Sequence, residues 1–276
     1  MKIMMMTDLE GCAGVIDFEN WALASGRYYD TAKKFLTEEV NAAVDGLVAG
    51  GATEIVVLDG HGPGAIAPEL LDARAWFQRG HGDEVWPWQL DRSFDGLAFV
   101  GQHAKAGTDY SHLTHTQSTT YIDLSVNGIS IGEYGQMALC AMELGVPTIL
   151  ACGEEALARE AEALTPGVVT VAVKRGLRRD GLDHLGQAAY MKAKLAARHV
   201  APARAREMIR DGAERAARKL ADDRSSFSYP DLAPPYVRTA RFRTVNDEPP
   251  HEARDEHPTS FIALMNMPFT TVPSRT

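Results

Sequence analysis

Apolar positions along this chain alternate between two rhythms. Residues 2–7, KIMMMT, form an unbroken apolar run that reads as a strand buried on both faces. Over 32–47 the apolar residues Phe35, Leu36, Val40, Ala43, Val44 and Leu47 recur at helical spacing, and the stretch ends at Gly50-Gly51. A second strand follows over 54–58, then the glycine-rich DGHGPG of Asp59 to Gly64, a weakly helical stretch, and a strand over 96–100 that ends in Gly101-Gln102-His103. Strand, helix, strand, helix, strand is the rhythm of a parallel sheet covered on both faces.

Residues 119–126 alternate and run into Asn127-Gly128 before another short strand, the sequence signature of a hairpin projecting from such a sheet. The α/β rhythm then resumes with a helix over 133–144, a strand over 147–151, a helix over 154–164 and a strand over 168–173. From 181 to 222 the pattern is helical, and Pro202 is placed to open a second helix in its first turn. Residues 225–235 read as a linker, and 237–245 and 260–265 as two strands around a charged loop, NDEPPHEARDEHP.

The expected fold class is therefore α/β: a mostly parallel sheet flanked by helices, a projecting β-hairpin, and a smaller α+β C-terminal region. At 276 residues the chain suits a main α/β domain over 1–176 and a smaller helical and β region over 177–276, either separate or part of the same fold.

Charge narrows the partners. With 37 acidic and 28 basic residues the surface repels phosphate backbones and anionic lipid, which argues against nucleic acid and against membrane. No stretch approaches the ~20 apolar residues of a membrane span, and the N-terminal run is broken by Asp8 and Glu10. Cys12, Cys140 and Cys152 are too few and too scattered for a disulfide framework or a thiolate zinc site, which points to a cytoplasmic protein.

The chemistry lies where strands end. Asp8 and Glu10 follow the first strand, His61 the second, His103 the next, and Glu133 opens the helix after the hairpin. The carboxyl ends of parallel strands line one crevice, so these loops converge. Asp8 and Glu10, at i and i+2, repel each other unless something positive lies between them. Imidazole mixed with carboxylate suits zinc, with manganese or cobalt as substitutes, and five ligands suit two ions sharing a carboxylate. His115, or His112 three residues before it, could serve as general acid or base beside such ions. Trp86-Pro87-Trp88 either lines a substrate pocket or simply packs, and Lys174, at the end of a strand, could reach the crevice without an assigned role there.

Five motifs in this order resemble the DppA-type D-aminopeptidase family of zinc metallopeptidases: D-L-E-G at 8–11, D-G-H at 59–61, G-Q-H-A-K-A at 101–106, T-H-T around His115, and N-G-x-x-x-G-E at 127–133. The later G-V-P-T-I-L-A-C-G-E-E (145–155) and V-A-V-K (171–174) are similar too, whereas the last hundred residues match loosely. The resemblance implies a two-zinc site in which Asp8 bridges, Glu10 and His103 complete one ion and His61 and Glu133 the other, with His115 in the place of the family's catalytic histidine. It also implies short peptide substrates with an N-terminal D-amino acid, typically D-alanine, and a homo-oligomer in the form of a decameric ring. The family's histidine is described as a nucleophile, but water on zinc is deprotonated near pH 7, so the physical reading is attack by metal-activated hydroxide with His115 assisting. Three rival readings stay open on the residues alone: a metal-dependent amidase or lactonase, a phosphohydrolase built on Asp-x-Glu, and a non-catalytic protein with structural metals.

Overall fold

A computed structural model describes residues 1–246 and 248–272; Asp247 of the charged loop and the last four residues of the C-terminal region lie outside it. The first half of the chain runs β1 (Lys2–Thr7), α1 (Tyr29–Ala49), β2 (Glu54–Asp59), β3 (Ala75–Arg79), β4 (Gly96–Gln102), β5 (Tyr121–Val126), β6 (Ile129–Ser130) and α2 (Glu133–Leu144). It continues through β7 (Thr148–Glu154), α3 (Glu155–Leu164), β8 (Val169–Gly176), α4 (Gln187–Ala193), β9 (Ala197–His199) and α5 (Pro202–Asp222). It closes with β10 (Tyr236–Phe242), β11 (His251–His257), α6 (Phe261–Asn266) and β12 (Thr271–Val272). Among the described residues no helix is long and apolar enough to cross a membrane.

Seven strands form the main sheet in the order β3-β2-β1-β4-β7-β8-β9, parallel except at β9. The apolar runs predicted as two-faced strands are buried along almost their whole length, β4 and β7 entirely. One face packs on α1 and α5 through Leu36, Val40, Val44, Leu47, Ile209 and Ala213; the other packs on α2 and α3 through Phe99, Tyr134, Met137 and Leu157. Helices α1 and α5 approach so closely that a Cβ on Gly46 would stand 2.1 Å from the carbonyl oxygen of Arg210, a contact only glycine permits.

The hairpin is built as its sequence predicts. Asn127 and Gly128 both take positive φ, 49° and 81°, as a two-residue turn between twisted strands requires. Its strand β5 is the inner member of a second, antiparallel sheet, β12-β11-β10-β5-β6.

Several elements differ from the sequence reading; one is strand β9, which breaks the stretch over 181–222 that reads as helical, by pairing with the end of β8. The charged loop contains a strand, β11: Ala253 and Asp255 face inward, Asp255 pairing with Arg238 of β10 at 2.8 Å, while charged neighbours face outward. Residues 260–265, expected as a strand, form α6, because the Ser260 hydroxyl accepts from Ala263 N–H and Glu143 accepts from Phe261 and Ile262 N–H. The weakly helical stretch after Gly64 holds the edge strand β3, with Trp76 largely exposed.

Candidate metal centre

Strand β1 lies between β2 and β4: the chain runs outward from β1 through β2 and β3 on one side, then crosses back to β4 on the other. At such a switch point the loops after adjacent strands part and leave a crevice. The loops after β1, β2 and β4 carry Asp8 and Glu10, His61, and His103 to that crevice, and the N-terminus of α2 brings Glu133. The crevice is a cavity of about 310 Å³ whose lining includes Asp8, Glu10, His61, His115, Gln117 and Glu133. Of the two histidines weighed in the 111–117 loop, His115 faces it; His112 turns away, against the Ile16 carbonyl at 3.0 Å.

The β1 loop reaches the site by pressing against β4. Asp8 N–H donates to the Val100 carbonyl and Gly11 N–H to that of Gly101. A Cβ on Gly11 would lie 2.0 Å from the Gln102 carbonyl oxygen, so glycine after Glu10 is a steric requirement.

Asp8 is central. Its Oδ1 accepts from Leu9 N–H and lies 3.2 Å from His61 Nδ1; its Oδ2 accepts from the Gln102 amide at 3.0 Å and lies 3.1 Å from His103 Nε2. Glu10 Oε2 is 3.1 Å from His61 Nδ1, and Glu133 Oε1 is 3.6 Å from His103 Nε2 and 3.7 Å from His115 Nε2. Ligand atoms of Asp8, Glu10 and His103 all fall within 4.8 Å of one another, as do those of His103, His115 and Glu133.

Each histidine has one nitrogen turned to a backbone carbonyl: His61 Nε2 to Ala22, His103 Nδ1 to Ala104, His115 Nδ1 to Leu113, all at 2.8–2.9 Å. That contact assigns the proton of the neutral ring and leaves the other nitrogen as a lone pair facing carboxylates. A lone pair against a carboxylate is repulsive. Either each ring takes a second proton or a cation sits between.

The metal-free electrostatics favour the extra protons. Burial opposes charge on His61, but Glu10 and Asp8 outweigh it and lift its pKa to about 12. Burial is likewise outweighed at His103, by Glu133 and Asp8, and its pKa lies well above the usual value. Asp8 is driven well below the carboxylate range: burial would raise it, and the close approach of His103 and His61 overcomes that.

Geometry favours a cation. Glu10 Oε2 and His103 Nε2 are buried with no hydrogen-bond partner among the described residues, although each lies 3.1 Å from an oppositely charged group. Close atoms that are not aligned on one another are atoms aimed at a common third point. The donor set of two or three imidazoles and three carboxylates fits zinc, and the residues present fit two ions.

Behind these groups stand side chains whose role the sequence did not disclose. Lys174, buried at the end of β8, donates from Nζ to the Glu10 carbonyl. Burial lowers its pKa against the pull of Glu154 and Glu10. Glu154, itself buried, accepts from Ala104 N–H at 2.8 Å and His112 N–H at 2.7 Å, tying the His103 loop to the His115 loop. Glu160 accepts from Lys105 N–H and Gly132 N–H, tying the His103 loop to the start of α2. The signal available in the sequence was only a charged residue at the end of an apolar run. Trp86 and Trp88 both line the cavity and pack against the hydrophobic core beneath it.

Comparison with known proteins agrees with this architecture. A solved structure described as the zinc-dependent D-aminopeptidase DppA from Bacillus subtilis, a self-compartmentalizing protease, superposes with a TM-score of 0.78 over 96% of this chain and 95% of its own, at 23% identity. The likeness of fold thus takes in the C-terminal region that the motifs match loosely. A D-aminopeptidase of Bacillus subtilis strain 168 is 31% identical over 193 residues, 68% of this chain and 69% of the relative. The model of the M55 peptidase family, described as D-aminopeptidase, matches residues 1–247. The chain belongs to the M55 family of D-aminopeptidases and is a hydrolase of that family.

Proposed function

We propose that this protein is a two-zinc aminopeptidase that removes an N-terminal D-residue of the D-alanine type from short peptides. Asp8, Glu10, His61, His103 and Glu133 would hold the ions, Asp8 shared, with Glu10 and His103 toward one and His61 and Glu133 toward the other. The observation that carries the metals is the pair of buried, partnerless atoms Glu10 Oε2 and His103 Nε2 in a ring of facing carboxylates and imidazoles. When bound, such ions polarise the scissile carbonyl and make water acidic enough to act as nucleophile near neutral pH.

The chain's own residues supply orientation and a proton path. His115 has Nδ1–H fixed on the Leu113 carbonyl, so Nε2 is its one nitrogen free to take or give a proton. Its ring stacks on His103 at a centroid distance of 4.0 Å, and the flanking Leu113 and Gln117 hold positive φ of 55° and 58°. A backbone held in that sparsely populated region fixes His115 toward the cavity. There it relays the proton from water to the departing amine or steadies the oxyanion.

The D-preference and the peptide substrate rest on family membership, and the self-compartmentalizing relative supports a homo-oligomer, here taken as a decameric ring. Three buried free cysteines support a reducing, cytoplasmic setting.

Metal analysis with kinetics is the test. The native protein should carry two zinc ions per chain and release D-alanine from D-alanyl peptides. His61→Ala should lose metal and turnover together; His115→Ala should lose turnover and keep both ions. Metal-free protein active on phosphate esters would refute the proposal, and metal loss in His115→Ala would make His115 a ligand.

A further inference from the structure

Among the described residues, one arginine and no lysine lines the cavity, and the proposed mechanism has no use for that arginine. Arg79 is the last residue of β3, in register with Asp59 of β2, and its side chain is 39% exposed at the cavity wall. Its guanidinium is fixed in place: Nη1 donates to the carbonyls of Asp59 at 2.9 Å and His61 at 2.7 Å, and Nη2 to that of Gly62 at 2.5 Å. These bonds use three of its five N–H groups, and the Asp59 carboxylate, 3.5 Å from Nη1, balances its charge in part from the side away from solvent, which leaves two N–H groups for a further acceptor. Asp59, the carboxylate nearest to it in register, accepts from Ala65 and Ile66 N–H and stands 3.5 Å away.

A fixed, partly exposed guanidinium in a cavity walled by Trp86 and Trp88 is a receptor for an anion, for carboxylate above all, which it can hold bidentately. The cavity's remaining charged groups are the metal-site acids and histidines. At about 310 Å³ it is at the small end of ligand pockets, with room for a substrate of one or two residues. A peptide whose N-terminal residue reacts at the metal centre carries one anion regardless of its side chains, its C-terminal carboxylate. In a peptide of two residues that carboxylate lies within the same small cavity as the scissile bond.

We infer that Arg79 reads the C-terminal carboxylate of the substrate, so that the enzyme selects dipeptides with a free C-terminus. This rests on the aminopeptidase reading of the site and narrows it. Arg79 is here a specificity residue. A purely structural clamp on the His61 loop is the competing role, since the same side chain holds the His61 carbonyl.

The test compares D-alanyl-D-alanine with its C-terminal amide. The native enzyme should favour the free acid in kcat/KM by roughly 10- to 100-fold, the range for a charge-assisted pair, and should lose efficiency as D-alanine residues are added beyond two. In Arg79→Met the acid-to-amide ratio should fall toward one, through KM for the acid, and Arg79→Lys should restore part of it. Equal hydrolysis of acid and amide by the native enzyme overturns the inference, without any variant having to fold, and leaves the aminopeptidase reading intact. A variant that loses both substrates in proportion, with the ratio kept, assigns Arg79 to the clamp and overturns it as well. If neither compound is cleaved, the aminopeptidase reading fails and the inference with it.

Discussion

Removing the metals should make this protein sensitive to alkaline pH in a way the loaded protein is not. Without a cation between them, the buried carboxylates Asp8, Glu10 and Glu133 face His61 and His103, whose pKa values are raised, that of His61 to about 12. A histidine whose folded pKa lies above its unfolded value of about 6.5 stabilises fully below that pH, and the contribution is lost as pH rises toward the folded value. From pH ~7.5 to ~9 the unfolded chain has released these protons and the folded chain retains them. Each retained proton then costs about 1.4 kcal/mol of stability per pH unit, and two cost at most about 2.7 kcal/mol. On the acid side the lowered pKa of Asp8 acts in the opposite sense: its contribution is present above about pH 4 and is lost as pH falls.

Metal ligation needs the neutral rings, so the loaded protein has already released those protons and escapes the alkaline loss. The gap in stability between loaded and chelated protein should therefore widen with pH. At roughly 2 °C per kcal/mol for a chain of this size, the gap in Tm grows by about 5 °C per pH unit. Paired thermal scans from pH 7.5 to 9 at buffered free zinc measure it. Calorimetric zinc titrations in two buffers of different ionisation enthalpy should count about two protons released near pH 8. A flat gap with no protons released would mean that His61 and His103 are neutral in the free protein, and the argument from opposed lone pairs and carboxylates would fail.

Three further substitutions separate the site from its scaffold. Lys174→Met removes the donor to the Glu10 carbonyl and the cation beside buried Glu154; it should cost about 3 kcal/mol in urea unfolding and weaken zinc binding ~10- to 100-fold by chelator competition. Gly11→Ala places a Cβ 2.0 Å from the Gln102 carbonyl oxygen and should cost about 3 kcal/mol or more, with metal lost because Glu10 is displaced. Leu36→Ala, at a fully buried position of the α1 face, should cost about 3 kcal/mol and leave the zinc content unchanged.

How legible each feature was in the sequence follows from how local its cause is. The runs KIMMMT and GLAFV read as strands because both faces are buried, so no polar residue interrupts their apolar centres, and the polar residues that follow within a few positions mark where the strand leaves the core. Asp8, His61 and His103 were visible for that reason, and Glu133 because a helix begins with it. Strand β11 hides its period, since its inward positions are Ala253 and an aspartate that is tolerable only beside Arg238. Helix α6 owes its start to Glu143, more than a hundred residues upstream, and short apolar runs look alike as strand or helix without such a cap. Lys174, Glu154 and Glu160 are hidden in the same way. Lys174 and Glu154 are charges near strand ends and Glu160 a charge within α3, and the meaning of each lies in a backbone group of a distant loop: Glu10 for Lys174, Ala104 and His112 for Glu154, Lys105 and Gly132 for Glu160. Groups that meet a ligand are chosen for their own chemistry and so announce themselves by type. Groups that hold them are chosen for where a neighbour's N–H or C=O happens to point, and only the folded chain contains that information.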